Sequence, residues 1–281
     1  MKDALTENKT SPFIEENKAN PKVSWLICTN ICNENLRLAI DSCITQSFTD
    51  FELILVVNGD NRDSIASTVK EWYVSEPRVK IYITDINYLT FSLSLGLHHC
   101  AGELIARMDA DDISKYTRLE SQVNYMNRFH DVDVLATDYE LIDNNGSVVG
   151  VNRCPESDRD IRKALVFSNP ICHPSVMFRK KIVTSIGGYM GGLHTEDYDL
   201  WTRLAIEANA KFASISVPHL QYRNSGSSAR GSVNAYSWQA VYQFKLFLDG
   251  RGIIYLLASS ISCGKLMLRK ISLLCSGFRN S

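Results

Sequence analysis

Apolar residues in the first half of the chain fall into two alternating patterns. Short, nearly continuous apolar runs are typical of buried strands, and stretches with apolar residues at helical spacing are typical of helices. The runs predict strands at 23–28, 51–57, 79–83, 103–108 and 132–137. Helical patterns lie between them, at 36–44, in the stretch that ends at residue 73, at 92–101 and at 115–129. This alternation predicts an α/β fold with a Rossmann-like, mostly parallel central sheet flanked by helices.

The second half of the chain is less regular, but one amphipathic helix is predicted to begin near Thr195. Its apolar face consists of Leu200, Leu204 and Ala208. Thr195 is suited to cap the N-terminus of this helix. Glu196 and Asp197 fall in its first turn, where acidic side chains complement the helix dipole. That favourable position is enough to explain the two acids without any catalytic role.

Polar loops follow three of the predicted strands at their carboxyl ends, at 29–34, 58–60 and 109–112. In sheets of this kind, ligands bind outside the carboxyl ends of the strands. The third loop, Asp109-Ala110-Asp111-Asp112, places three carboxylates within four residues, which is unfavourable unless a cation compensates. Carboxylate oxygens suit Mg²⁺ or Mn²⁺, which also bind diphosphates. The convergence of the loops favours a metal–diphosphate site over a solvated turn or a helix N-terminus.

Composition narrows the class of protein. The 281 residues are 45% hydrophobic and 22% charged, as in an ordinary globular protein, and the formal net charge of -1 indicates no nucleic-acid partner. The eight cysteines form no C-x-x-C pair, so we expect reduced thiols rather than a zinc site or a disulfide framework. Residues 1–22 resemble neither a signal peptide nor a transit peptide. We therefore expect a loose polar tail on a cytoplasmic protein.

Residues 253–275 are apolar but are interrupted by Lys265, Arg269 and Lys270. The uninterrupted apolar run is too short to span a bilayer. Two interpretations stay open at this point. The segment is either a helix that lies in a membrane interface, which would put the protein on the inner face of the cytoplasmic membrane, or a C-terminal helix that packs on the domain.

In their order and spacing, these segments resemble glycosyltransferase family 2, whose members are inverting enzymes of the GT-A fold. The resemblance extends over residues 23–228. The segments that match are 23–28, 39–48, 51–60, 101–112, 118–122, 173–177 and 196–201. The resemblance implies a GT-A domain at 23–230, with a nucleotide-binding half at 23–137 and an acceptor-binding half at 138–230. A C-terminal helical appendage at 231–281 completes the expected organisation.

The resemblance also implies which residues bind the nucleotide sugar. Asp109 and Asp111 match the D-x-D motif of the family, in which Asp111 holds Mn²⁺ or Mg²⁺ at the donor diphosphate and Asp109 holds ribose or metal-bound water. The metal neutralises the departing nucleoside diphosphate. The expected donor-site residues are Cys28, Thr29, Asn30, Asn58, Asp109, Ala110 and Asp111.

On the acceptor side, Asp197 matches the catalytic base of the family and Glu196 is its neighbour. The base takes the proton of the acceptor hydroxyl as that oxygen attacks the anomeric carbon. A single displacement with one base implies inversion, because retention through an enzyme-bound intermediate needs a second carboxylate. His173 matches a segment that lines the acceptor side, although a place in a tight turn explains it equally well.

Two departures from the family pattern concern the base of the nucleotide. The family has paired aspartates where this chain has Val57 and Asn58. The Asn58 amide can still pair with the imide edge of uracil, because it offers both an acceptor and donors. Asn30 stands where an aromatic residue often stacks on the base. Uridine binding is therefore expected, and another nucleotide stays open.

The sequence predicts a metal-dependent inverting enzyme that adds one sugar, a hexose from a UDP-sugar, to a glycan acceptor. The Q-x-x-R-W signature of processive synthases is absent from the sequence. The interfacial interpretation of 253–275 favours a polyprenyl-diphosphate-linked acceptor, as in O-antigen or capsule synthesis. Two alternatives stay open. A nucleotidyltransferase would need a glycine-rich basic loop, which residues 28–35 do not provide. A non-catalytic relative that binds nucleotide or glycan is compatible with Val57 and Asn30 but would not need the acidic motifs.

Overall fold

The first half of the chain alternates strands and helices as predicted. The computed structural model describes residues 20–191, 194–224 and 232–277. The strands of the first half are β1 (Val23–Thr29), β2 (Phe51–Asn58), β3 (Val79–Thr84) and β4 (Leu104–Asp109). The helices between them are α1 (Glu34–Ile44), α2 (Arg62–Trp72) and α3 (Leu89–His99). Each lies within a few residues of the position that the apolar pattern predicts.

The second half mixes short strands with helices. Its strands are β5 (Ile113–Ser114), β6 (Val134–Ile142), β7 (Val148–Asn152), β8 (Met177–Arg179) and β9 (Phe212–Arg223). Its helices are α4 (Arg118–Arg128), α5 (Asp158–Phe167), α6 (Lys180–Ser185), α7 (Glu196–Ile206), α8 (Val233–Leu248) and α9 (Ile254–Gly277). A short 3₁₀ turn, His173–Ser175, precedes β8.

One sheet joins the two halves, with strand order β3-β2-β1-β4-β8-β6-β9-β5 and with β7 beside β6. The first four strands are parallel to one another, whereas β8 runs antiparallel to both β4 and β6. The expected α/β fold with a mostly parallel central sheet and C-terminal helices is confirmed. The expected division of the domain at 137/138 stays a prediction, and that boundary falls within β6.

Alternation along β1 buries side chains on both faces of the sheet. Trp25 and Ile27 belong to a core that includes residues of α1, α2 and α4, and Leu26 belongs to a second core with residues of α3, α5 and α7. Because helices cover both faces, the strands read as continuous apolar runs in the sequence. The polar side chains are left at the ends of the strands, where the candidate site lies.

Some expectations fall outside the described residues, and one was only partly right. Residues 1–19 of the expected tail and the end of the family match at 228 are not described. The seven cysteines that the structure describes are free thiols, four of them buried. Thr195 stands at the N-cap of α7, but the prediction that its side chain caps the helix was wrong, because it makes no capping hydrogen bond.

Candidate active site

A cavity of about 630 Å³ opens at the carboxyl end of β4. Asp109, the last residue of that strand, lines it together with His173 of the 3₁₀ turn and with Glu196 and Asp197, which begin α7. These four residues are far apart in the sequence and come from both halves of the chain. The fold thus brings Asp109 of the D-x-D loop and the two acids of α7 to one cavity, whose volume suits a small-molecule ligand.

The other donor-site candidates lie along the edge of the sheet beside this cavity. Strand register places Cys28 opposite Asp109, and β2 ends at Asn58 next to them. The Asn30 Nδ2 donates a hydrogen bond of 3.4 Å to Oδ1 of Asn87, a residue that lines the cavity. None of the following lines the cavity in the described part of the chain: Cys28, Thr29, Asn30, Asn58, Ala110 and Asp111.

The polar groups on this edge are partly occupied by local contacts. Asn58 is buried, and its Nδ2 donates to Oγ of Ser92 at 2.7 Å, while its Oδ1 has no hydrogen-bond partner within the described residues. The Thr29 hydroxyl donates to the Ile31 carbonyl at 2.7 Å. Burial raises the pKa of the Cys28 thiol to about 12, so this group stays protonated. The Asn58 Oδ1 is therefore a buried acceptor without a donor among the described residues.

Asp109 is held by an arginine that the sequence analysis did not identify. Arg107 lies two residues earlier on β4, is only 2% exposed, and forms an ion pair with Asp109 through its Nη1. Burial by itself would lower the pKa of Arg107, but the Asp109 carboxylate beside it raises this pKa above its ordinary value. The Arg107 Nε has no hydrogen-bond partner in the described ranges. A buried guanidinium with donor capacity to spare is suited to an anion in the cavity.

The rest of the acidic loop is anchored by β9. The backbone N–H of Arg223 donates to Oδ1 of Asp112 at 2.8 Å, and its Nε donates to the Asp111 carbonyl at 2.9 Å. Burial and the Asp109 charge raise the pKa of Asp111 and raise that of Asp112 well above its ordinary value. The Asp112 Oδ2 is buried without a hydrogen bond inside the described segments. Crowded, desolvated carboxylates of this kind are stabilised by a bound cation.

The acids of α7 have a different environment. Oδ2 of Asp197 accepts a hydrogen bond from Nδ2 of Asn169 at 2.7 Å, and Oδ1 accepts one from the backbone N–H of Tyr198 at 2.7 Å. These donors fix the orientation of the carboxylate. Burial and the adjacent Asp197 charge raise the pKa of Glu196 to about 7. Glu196 therefore exchanges its proton near neutral pH, the range in which general acid–base chemistry operates.

His173 is a buried residue at the wall of the cavity. Its Nε2 lies 2.8 Å from the hydroxyl of Tyr189, and its ring packs edge-on against Trp201. Burial and the Arg107 charge lower its pKa well below the ordinary value, so the imidazole is neutral. The structure therefore gives His173 a firm packing role, in addition to its place at the cavity.

Four further residues contribute to the site or line the cavity without any local signal in the sequence for their place there: Asn169, Tyr189, Tyr88 and Lys265. Each belongs to a loop or helix remote in sequence from the acids. Arg107 did have a local signal in the sequence. It is a charged residue inside an apolar strand, where a buried charge needs a partner. Asp109 stands two residues later, so its side chain lies on the same face of the strand. That signal was available in the residues 104–109.

Comparison with known proteins gives matches over most of the chain. The profile of Glycosyl transferase family 2 matches residues 24–184. The O-antigen biosynthesis glycosyltransferase WbnJ of Escherichia coli is 36% identical over 232 residues, which are 82% of this chain and 91% of WbnJ. A second Escherichia coli protein, UDP-Gal:alpha-D-GlcNAc-diphosphoundecaprenol beta-1,3-galactosyltransferase, is 27% identical over 219 residues, covering 76% of this chain and 78% of that enzyme.

A solved structure agrees with the fold. The mannosyltransferase PcManGT of Pyrobaculum calidifontis, determined with GDP-Man and Mn²⁺, superposes with a TM-score of 0.57 at 17% identity. The match covers 93% of this chain and 81% of PcManGT. Such identity shows the shared architecture alone.

Proposed function

The chain belongs to glycosyl transferase family 2 and is a glycosyltransferase; we propose that it transfers one hexose, with inversion, from a UDP-sugar to a polyprenyl-diphosphate-linked glycan. The observation that supports this most is the shared cavity, which Asp109 lines together with Glu196 and Asp197. Polysaccharide synthesis is the role named for WbnJ, and a lipid-diphosphate acceptor is named for the galactosyltransferase relative.

The residues of the acidic loop fit a divalent metal. Asp109 and Asp111 are crowded carboxylates, which a cation would stabilise. The described residues contain no cluster of three or more metal-binding side chains, so the protein itself would supply only these one or two ligands. Mg²⁺ and Mn²⁺ sites with one or two carboxylates usually take their other ligands from water and substrate phosphates. We assign Asp111 and Asp109 to Mn²⁺ or Mg²⁺, which when bound neutralises the charge on the leaving nucleoside diphosphate.

Asp197 is the proposed base. As the acceptor oxygen forms its bond to the anomeric carbon, the bond from that carbon to the diphosphate oxygen breaks, and the hydroxyl proton passes to Asp197. Asn169 and the Tyr198 N–H hold the carboxylate in one orientation, which lowers the cost of reaching the reactive geometry. The neutral form of Glu196 avoids a second negative charge beside the base. His173 belongs to the wall on the acceptor side.

For the donor, we propose that the base of the nucleotide lies near Asn58 and Tyr88. Asn58 has its unsatisfied Oδ1 to accept from the imide N–H of uracil. Tyr88 lines the cavity, is 55% exposed, and follows Asn87, the hydrogen-bond partner of Asn30. The tyrosine ring can thus supply the stacking surface that Asn30 lacks. Cys28, Thr29 and Ala110 belong to the backbone edge along which the donor lies.

Membrane contact is proposed for the C-terminal helices. Helix α9 packs on α8 through hydrogen bonds from Ser259 to the Ala240 carbonyl and from Ser262 to Gln243. The opposite surfaces of the hairpin expose apolar residues, among them Trp238, Val241, Phe244, Leu257, Met267, Leu268 and Ile271. No helix within the described ranges has both the length and the apolar character to cross a bilayer. An interfacial position accommodates both packing on the domain and an exposed apolar face.

The proposal is tested by offering UDP-, GDP- and dTDP-sugars, each with a synthetic lipid-diphosphate-sugar acceptor, in Mn²⁺ and then in EDTA. We expect release of UDP that requires both metal and acceptor, and a product of inverted anomeric configuration by NMR. Release of GDP or dTDP instead would correct the donor. Nucleotide binding without release from any donor would contradict the enzymatic role with this acceptor class and favour a binding relative.

A further inference from the structure

One arginine and one lysine line the cavity, and they differ in their partners. Arg107 is paired with Asp109. Lys265, from α9, forms no ion pair or hydrogen bond with any of the residues that the structure describes. Its side chain is nevertheless half-buried at the wall of a cavity that also contains Glu196 and Asp197. An unpartnered ammonium in such a place indicates that its anion comes with a ligand.

The position of Lys265 is fixed by the packing of the helical hairpin. Ser262, one turn before Lys265, is buried against Gln243 of α8 through a hydrogen bond of 2.7 Å. Residues three apart on a helix lie on the same side, so Lys265 faces the cavity-lining part of α8. That part consists of Ala235, Tyr236 and Gln239, and Gln239 is itself bonded to the Phe167 carbonyl at 2.8 Å. The lysine therefore belongs to the helical wall of the cavity rather than to the strand edge.

The two sides of the hairpin differ in polarity. Lys265 and Gln239 line the cavity, whereas Met267 and Val241, each two residues further along the same helix and therefore on another side of it, are 65% and 61% exposed. An amphiphile with an anionic head and an apolar tail matches this arrangement, with its head at Lys265 and its tail along the exposed side chains. A nucleotide sugar has no apolar tail, and its diphosphate is already assigned to the acidic loop.

We propose that Lys265 binds the diphosphate of the lipid-linked acceptor and so selects acceptors that carry this group. This inference rests on the proposed function for the identity of the acceptor, but the site itself is defined by the cavity and by the hairpin. The ammonium neutralises part of the diphosphate charge, while the acceptor sugar extends toward Asp197. Lys265 thus determines which acceptors bind, and it contacts no reacting atom.

Binding is the first test, with farnesyl diphosphate as the probe and with UDP and Mg²⁺ saturating the donor site. Lys265→Gln should weaken binding at least tenfold. Lys265→Arg should retain it, and Lys270→Gln, an exposed change on the same helix, should leave it unchanged. Farnesol should bind no better to the native protein than to Lys265→Gln. Failure of the native protein to bind farnesyl diphosphate more tightly than farnesol would overturn the inference, as would equal binding by Lys265→Gln.

Turnover is the second test, with one acceptor sugar attached either to a lipid diphosphate or to a neutral alkyl chain. Lys265→Gln should raise the KM for the diphosphate acceptor about tenfold and leave kcat/KM for the alkyl glycoside and the donor KM unchanged. An equal loss on both acceptors would contradict the specificity role. Normal transfer by Lys265→Gln refutes only this inference. Absence of transfer in the native protein, with Lys265-dependent probe binding, refutes only the proposed function.

Discussion

Two acidic clusters meet at the same cavity, and their surroundings differ in charge. The loop Asp109–Asp112 is bracketed by two arginines, with Arg107 paired to Asp109 and Arg223 bonded to Asp111 and Asp112. On α7, Asp197 accepts hydrogen bonds from neutral donors, and Glu196 has no ion-pair partner in the described part of the chain. A loop held by arginines suits a diphosphate and its metal, whereas the amide donors at Asp197 orient its carboxylate for proton transfer.

Burial of the carboxylates also has a different consequence in each of the two clusters. In the loop, burial and crowding raise the pKa of Asp111, a cost that a divalent cation removes. On α7, burial raises the pKa of Glu196 to about 7, so one proton is retained by a pair of adjacent acids. Burial of the carboxylates thus favours a bound metal at the loop and a bound proton on α7.

The largest expected effect is on the metal side. Asp111→Asn should reduce metal-dependent donor binding about a thousandfold, because it removes the charge that we assign to the cation. Asp112→Asn is the matched control, since burial raises the pKa of Asp112 well above its ordinary value and its Oδ1 accepts from the backbone N–H of Arg223, which an asparagine oxygen can also accept. Calorimetry of UDP with Mn²⁺ measures both variants. Equal losses in both would show that the loop acts as a unit and that Asp111 has no separate role.

The next effect separates the proton at α7 from the metal at the loop. The pKa of Glu196 is raised from 4.5 to about 7, so the folded state keeps a proton that the unfolded chain loses, and its contribution to stability falls as pH rises across this interval. A shift of that size corresponds to roughly 3 kcal/mol. Glu196→Gln should remove this fall, which urea unfolding of the metal-free protein between pH 5 and 8 measures.

The control for this experiment is Glu207→Gln, an exposed change just after the end of the same helix. It should keep the pH dependence of the native protein. Parallel stability curves for the native protein and Glu196→Gln would show that Glu196 holds no proton in this range.

The smallest expected effect concerns the base of the nucleotide. Tyr88→Ala should raise the donor KM about tenfold and leave kcat unchanged, because stacking on an aromatic ring contributes roughly 1–3 kcal/mol per base. Tyr116→Ala is the control, because Tyr116 is 66% exposed and does not line the cavity. Steady-state kinetics with varied donor distinguishes them. Unchanged donor KM in Tyr88→Ala would remove Tyr88 from the donor site.

The two halves of the molecule also differ in how far their sequence predicts their structure. Strands β1, β2 and β4 of the first half are buried on both faces and are separated by helices, so their apolar runs are distinct. In the second half, β8 has three residues, and β9 contains Pro218 and pairs with β6 through shifts in register. Local patterns do not identify such strands, because tertiary pairing rather than composition defines them.

The candidate site divides in the same way. Its acids were found because they stand in motifs at predicted element ends. Asn169, which orients Asp197, and Lys265, which lines the cavity from α9, were not found, because only the folded chain brings them to the acids. Arg107 lies between these cases, since its charge within an apolar strand was a local signal.

The central claim is that the loop binds the donor and α7 supplies the base, and Asp197→Asn tests it most directly. The change keeps the shape of the side chain but removes its capacity as a base. We expect transfer to fall by 10²–10⁴-fold, the range for loss of a general base, while donor binding in Mn²⁺ stays as in the native protein. Asp63→Asn, the same change in the first turn of α2, should alter neither. Near-native transfer by Asp197→Asn, or loss of donor binding equal to its loss of transfer, would contradict the account.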